Sequence, residues 1–165
     1  MSAFRCIPFL LLAFVGSVAQ AHEERAHAEH AQDSSVGHAA ALGVPGKADA
    51  VSRTVAVSMS DAMRFTPDRI SVKAGETIRF RVRNTGKLKH EMVLGTRKEL
   101  ADHAALMRRF PDMQHEDPNA ISLEPGASGE ILWRFTRGGS FSFACLVPGH
   151  MEAGMVGALE VAARR

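Results

Sequence analysis

Between Thr77 and Asn84 the chain reads Thr-Ile-Arg-Phe-Arg-Val-Arg-Asn, with apolar and basic side chains in strict alternation. Successive side chains of a strand point to opposite faces. Ile78, Phe80 and Val82 therefore share one side, and Arg79, Arg81 and Arg83 share the other. This pattern calls for a sheet with one buried face and one wetted face.

The same period of two recurs along the chain. It runs through Val55, Val57 and Met59, and through Ile70 and Val72, which follow Phe65-Thr66-Pro67. After a Gly86-Lys87 turn it returns at His90, Met92 and Leu94, placing His90 on the inward face at a strand's open end. Ile121-Ser122-Leu123 follows, then Ile131, Trp133 and Phe135, then Phe141, Phe143 and Cys145, and last Met155, Gly157, Leu159 and Val161. The repetition predicts about eight short strands separated by turn signals, an all-β sandwich. One helix interrupts it near residues 97–110. Thr96 and Glu99 form a capping-box signature, Leu100, Ala104 and Met107 recur at helical spacing, and Pro111 stops the run.

The N-terminus has a different character. Met1–Arg5 is short and basic, Cys6–Val18 is apolar but short for a bilayer span, and Ala19-Gln20-Ala21 fits a signal-peptidase site. Residues 1–21 are therefore expected to be a signal peptide. Residues 22–50 are rich in Ala and small or polar residues and carry His22, His27, His30 and His38. They read as a flexible His-rich tail, with residues 51–165 as the folded domain. With no second apolar stretch of membrane length, the exported protein is expected to be soluble, without membrane insertion, and a monomer. The formal net charge of +2 gives no electrostatic case for nucleic-acid binding.

The chain has two cysteines, and loss of the leader removes Cys6. An exported protein with Cys145 alone has no internal disulfide to make, and an exposed free thiol is a liability in an oxidising compartment. A bound metal resolves that problem. The sequence Cys145-x4-His150-x4-Met155 supplies a thiol, an imidazole and a thioether in one loop, with Pro148 and Gly149 shaping it, and His90 supplies a second imidazole from a strand. Two His, one Cys and a weak axial Met form the ligand list of an electron-transfer copper site. Zinc is the rival metal, but a thioether is a poor zinc ligand. The tail histidines read either as a solvated segment or as a loose collector of additional copper. Met113 and His115, with Met151 nearby, are candidates for a second copper site. Lys87, Lys89, Arg97, Arg108 and Arg109 form a basic zone near His90 in sequence, a solvated rim where an acidic redox partner could dock.

These residues carry a resemblance. The run from Phe65 through Pro67, Ile70, Val72, Gly75 and Ile78 to Phe80, the His90 strand and the Cys145–His150–Met155 loop together resemble the cupredoxin family over about residues 53–162. The resemblance implies a Greek-key β-sandwich holding one type 1 copper. It implies imidazole nitrogens from His90 and His150, thiolate from Cys145 and axial thioether from Met155. The loop spacing is similar to that of rusticyanin and auracyanin. With its His-rich tail, the chain resembles the small periplasmic cupredoxins of bacterial copper tolerance, the CopI-like group. Glu91 stands where many members carry an Asn that ties the two ligand-bearing segments together.

Three roles follow as expectations. One is one-electron transfer with a redox partner protein. Another is copper tolerance, and the alternative is sequestration or delivery of copper to a copper-handling partner, with the tail collecting metal. An enzyme is disfavoured, because copper enzymes on this fold use further His clusters and the sequence holds no His-x-His pair.

Overall fold

The computed structural model describes residues 41–110 and 117–164. Ten strands form two five-stranded sheets that pack face to face, with one α-helix. The strands are β1 (Gly43–Pro45), β2 (Arg53–Ser60), β3 (Arg64–Thr66), β4 (Arg69–Lys73) and β5 (Thr77–Asn84), followed by β6 (His90–Gly95), β7 (Ala120–Leu123), β8 (Ser128–Phe135), β9 (Gly139–Ala144) and β10 (Val156–Ala162). The helix α1 spans Arg97–Arg109. One sheet has the order β1-β8-β5-β2-β3 and the other β4-β10-β9-β6-β7. The β2–β5 and β4–β10 pairs are parallel, and the remaining pairs are antiparallel.

The alternation of β5 does what the sequence requires. Ile78, Phe80 and Val82 are buried, and Arg81 and Arg83 are exposed. The register sets Ile78 opposite Trp133 and Phe80 opposite Ile131, so the inward faces of β5 and β8 coincide. From the other sheet come Met92, Leu94, Phe141, Phe143 and Leu159, all buried in the same cluster. Edge-to-face ring contacts, Phe65 on Phe143 and Phe80 on Phe135, fix the stacking between these large side chains.

Two strands exceed the expected eight. β3 is a three-residue strand within the Phe65 segment, paired with β2. β1 lies inside the segment expected to be a flexible tail, so the fold begins before residue 51. Leu42 is fully buried, and Gly43–Pro45 pairs with β8. One Leu among alanines gives no periodic signal; the backbone decides here. A Cβ on Gly43 would lie 2.0 Å from the Arg134 carbonyl oxygen, so only glycine lets the chain close against β8. Residues 1–40, with the expected signal peptide and the tail histidines, lie outside the described residues, as do Met113 and His115.

Helix α1 begins with the capping box that the sequence announces. The Thr96 hydroxyl accepts from the Glu99 N–H at 3.2 Å, and the Glu99 carboxylate accepts from the Thr96 N–H at 2.7 Å. Its buried side, Leu100 and Ala104, packs with Val93, Ala144 and Leu146 in a second apolar cluster, against which Met151 also packs. His103, beside this stripe, is half-buried. The helix thus covers the outer side of the β6–β9 pair, next to the loop that follows β9.

Candidate metal centre

Strand β6 starts at His90, and its pairing with β7 sets His90 opposite Leu123. The ring is fully buried. Strand β9 ends at Ala144, so Cys145 opens the loop to β10 and is itself fully buried. That loop is closed by its own backbone. The Cys145 N–H donates to the Met155 carbonyl at 3.1 Å, and the Met155 N–H donates to the His150 carbonyl at 3.0 Å. The His150 N–H donates to the Val147 carbonyl at 3.0 Å. Gly149 and Gly154 take φ of 88° and 97°, the left-handed region that such tight closures need. Arg108 of α1 forms an ion pair with Glu152, and Arg64 of β3 donates to the Ala153 carbonyl at 3.2 Å, so the loop is held from both flanks.

His90, Cys145 and His150 come together. Their donor atoms all lie within 4.8 Å of one another. Nδ1 of His90 stands 3.2 Å from Nδ1 of His150, and the Cys145 Sγ stands 3.4 Å from Nδ1 of His150. Donors bound to one first-row metal ion at about 2.0–2.3 Å can stand at most about 4.0–4.6 Å apart. Both separations fall inside that limit. Met155 is fully buried at the root of the loop, its backbone bonded to both Cys145 and His150.

The surroundings keep the donors neutral in the absence of a metal ion. Burial pushes the Cys145 thiol up to about 11, partly offset by the N–H groups of Glu91 and Val147. Burial also lowers the His150 imidazole below its ordinary value, and the neighbouring His90 lowers it further. Near neutral pH the apolar surroundings thus favour a neutral thiol and a neutral imidazole, while a metal ion displaces the thiol proton and is held by the thiolate. The Glu91 N–H donates to the Cys145 Sγ at 3.3 Å, so the His90 and Cys145 segments are joined by backbone at the position where the side chain departs from the family pattern. The Glu91 side chain instead accepts from the Ser122 hydroxyl at 3.2 Å, on β7.

Two residues of the site escape a reading of the sequence. Asn84 is fully buried; its amide donates to the carbonyls of Leu88 at 2.7 Å and Leu123 at 3.0 Å, and its oxygen accepts from Gly86 N–H at 2.9 Å. It therefore fixes the connection that delivers His90. A polar residue at the last inward position of the Ile78–Phe80–Val82 series is the signal that could have revealed it. The other is Asp61, whose Oδ1 lies 3.0 Å from His90 Nε2. Its carboxyl is held below the ordinary range, chiefly by the Lys87 N–H, with His90 adding to the effect. In the sequence, Asp61 is one residue of an ordinary turn. Of the expected basic zone, Lys89 pairs with Glu124 and Arg108 with Glu152, and Arg109 lies over the Phe110 ring.

A profile of the copper-binding proteins of the plastocyanin/azurin family matches residues 51–162. The chain belongs to that family. It is 49% identical over 160 residues to the copper-resistant cuproprotein CopI of Rubrivivax gelatinosus, covering 96% of this chain and 94% of the relative. It is 39% identical over 157 residues to the copper-resistant cuproprotein CopI of Pseudomonas aeruginosa, covering 78% and 86%. Among solved structures, the reduced auracyanin of Roseiflexus castenholzii matches with a TM-score of 0.59 at 24% identity, over 68% of this chain and 98% of that one, a likeness of fold. The sandwich is that of the cupredoxins, and the cofactor of the family is copper. His90, Cys145 and His150 are placed as a type 1 site would need them.

Proposed function

We propose that this chain is an exported, periplasmic cupredoxin that holds one type 1 copper and serves copper tolerance, with one-electron transfer as its chemical act. The observation that carries this reading is the convergence of two imidazole Nδ1 atoms and a buried thiol sulfur on one point. His90, Cys145 and His150 would hold the ion, and the Met155 thioether would add a weak fourth donor. Bound copper supplies a couple between two oxidation states that differ by one electron. The chain's part is to keep the ligands still. The loop closures, the packing of Leu146 and Met151 against the helix cluster and the Arg108–Glu152 pair all restrain the ligand loop.

Tolerance is supported by the names of the relatives, which are copper-resistant cuproproteins. We read the role as binding and electron exchange rather than enzymatic turnover, performed by a monomer. Among the described residues, no helix is long and apolar enough to cross a membrane. The basic residues Lys87, Lys89 and Arg97 would face an acidic redox partner. A second reading, sequestration or delivery of copper without electron transfer, is favoured by His22, His27, His30 and His38 in the segment before the domain.

The purified protein is expected to bind one copper per chain and absorb in the visible through thiolate-to-copper(II) charge transfer. Cys145→Ser should abolish that band, and persistence of the band would remove Cys145 from the ligand set. Deleting residues 22–40 should leave the band intact. A lower total copper stoichiometry in that variant would favour the collecting role of the tail. Loss of the gene should sensitise cells to copper if tolerance is the role.

A further inference from the structure

The connection between β5 and β6 is built around a single carboxylate from another part of the fold. Asp61 follows β2, and the parallel pairing of β2 with β5 brings the end of β2 beside the residues that follow Asn84. There, Asp61 Oδ2 accepts from the Lys87 N–H at 2.7 Å and Oδ1 accepts from the Leu88 N–H at 3.2 Å. The same Oδ1 stands 3.0 Å from Nε2 of the buried His90 ring. Gly86 makes the approach feasible: a Cβ there would lie 2.0 Å from Asp61 Oδ1 and 2.7 Å from its Cγ.

A carboxylate only accepts hydrogen bonds, so the proton shared with His90 resides on Nε2. A neutral imidazole carries one N–H, and placing it on Nε2 leaves a bare lone pair on Nδ1. Nδ1 is the atom that faces His150 and Cys145. We propose that Asp61 is a positioning residue of the metal centre: it selects the Nδ1-ligating tautomer of His90 and places a negative charge behind that ligand, which favours Cu(II) over Cu(I). This rests on the copper site proposed above. A carboxylate partner on the far nitrogen of a metal-bound imidazole orients the ring and raises its basicity. The same charge attracts the doubly charged ion more than the singly charged one.

Three variants separate the two effects. Asp61→Asn keeps an oxygen acceptor for His90 and removes the charge. Asp61→Ala removes both. Gly86→Ala keeps the carboxylate in the chain but displaces it from the ring. Imidazole 15N shifts of the copper-free protein report the tautomer, and a redox titration of the copper-loaded protein reports the charge.

The wild type and Asp61→Asn should show His90 protonated on Nε2 alone, whereas Asp61→Ala and Gly86→Ala should show a mixture of tautomers. At one fixed poise, Asp61→Asn should raise the Cu(I)/Cu(II) ratio about threefold or more at low ionic strength. Wild-type tautomer in Asp61→Ala and Gly86→Ala, together with an unchanged ratio in Asp61→Asn, would overturn the proposal. Should the wild type take up no copper, the copper site itself falls, while the copper-free tautomer measurement still decides the positioning role.

Discussion

Gly157 lies on β10 directly opposite Phe143 of β9, and a Cβ built there would meet three atoms of the Phe143 ring, the nearest at 2.0 Å. Ordinary contact begins near 3.4 Å, so Gly157→Ala requires the ring to retreat by about 1.4 Å. There is little room for that. Phe143 is fully buried and its ring packs edge-to-face with Phe65 at 5.0 Å between centroids. Overpacking of a closed core costs about 1–3 kcal/mol, and the crowding on both sides of this ring places the expected loss at about 2 kcal/mol. With a urea m-value of about 2 kcal/mol/M, the unfolding midpoint of the copper-free protein should fall by about 1 M. The single, buried Trp133 provides the fluorescence probe. Phe143→Leu destabilises by itself, but it removes the ring atoms that the new methyl would strike. The double variant should therefore lose less than the sum of the two, with a coupling of about 1 kcal/mol or more. Because Cys145 lies two residues beyond Phe143, just past the end of β9 and in the same apolar cluster, Gly157→Ala should also shift the visible copper band. A midpoint within about 0.25 M of wild type, equivalent to about 0.5 kcal/mol, or strict additivity in the double variant, would refute the reasoning.

Other perturbations test separate parts of the structure. Thr96→Ala removes the hydroxyl of the capping box and should cost about 1 kcal/mol, read from the same urea transition. In the copper-free protein Cys145 should alkylate far more slowly at pH 8 than in urea, because burial both covers the thiol and pushes it up to about 11. The folded thiol lies above its ordinary value of 9.0, so the stability it contributes is fully present below pH 9 and is lost as pH rises through about 11. A urea midpoint of copper-free protein that falls between those values in the wild type but not in Cys145→Ser would show it.

The sequence was most legible where one period governs many residues. The alternation of β5 and of β8, the inward Phe141 and Phe143 of β9 and the capped helix are local patterns whose burial follows from residue spacing. The three donors in reach of one another were legible because Cys145 and His150 share a loop and His90 opens an inward-facing strand. The misses share a different physics. β1 depends on how closely Gly43 can approach Arg134, a contact made across about ninety residues that no local pattern encodes. Asp61 depends on a parallel pairing, β2 with β5, that places a turn at the end of one strand beside the connection leaving the other. Asn84 is local, and its inward position in an otherwise apolar series was available to be noticed.

Cys145 belongs to the main apolar cluster between the sheets, whereas its two chain neighbours, Ala144 and Leu146, belong to the cluster under the helix. The peptide carrying the sulfur is thus gripped from opposite directions by two separately packed bodies, and sliding toward either means compressing one of them. Apart from Arg108, which pairs with Glu152 of the ligand loop, the exposed side of α1 is free to vary, but any change in girth at Leu100 or Ala104 would be transmitted, like a shim beneath a lens mount, to the position of the thiolate.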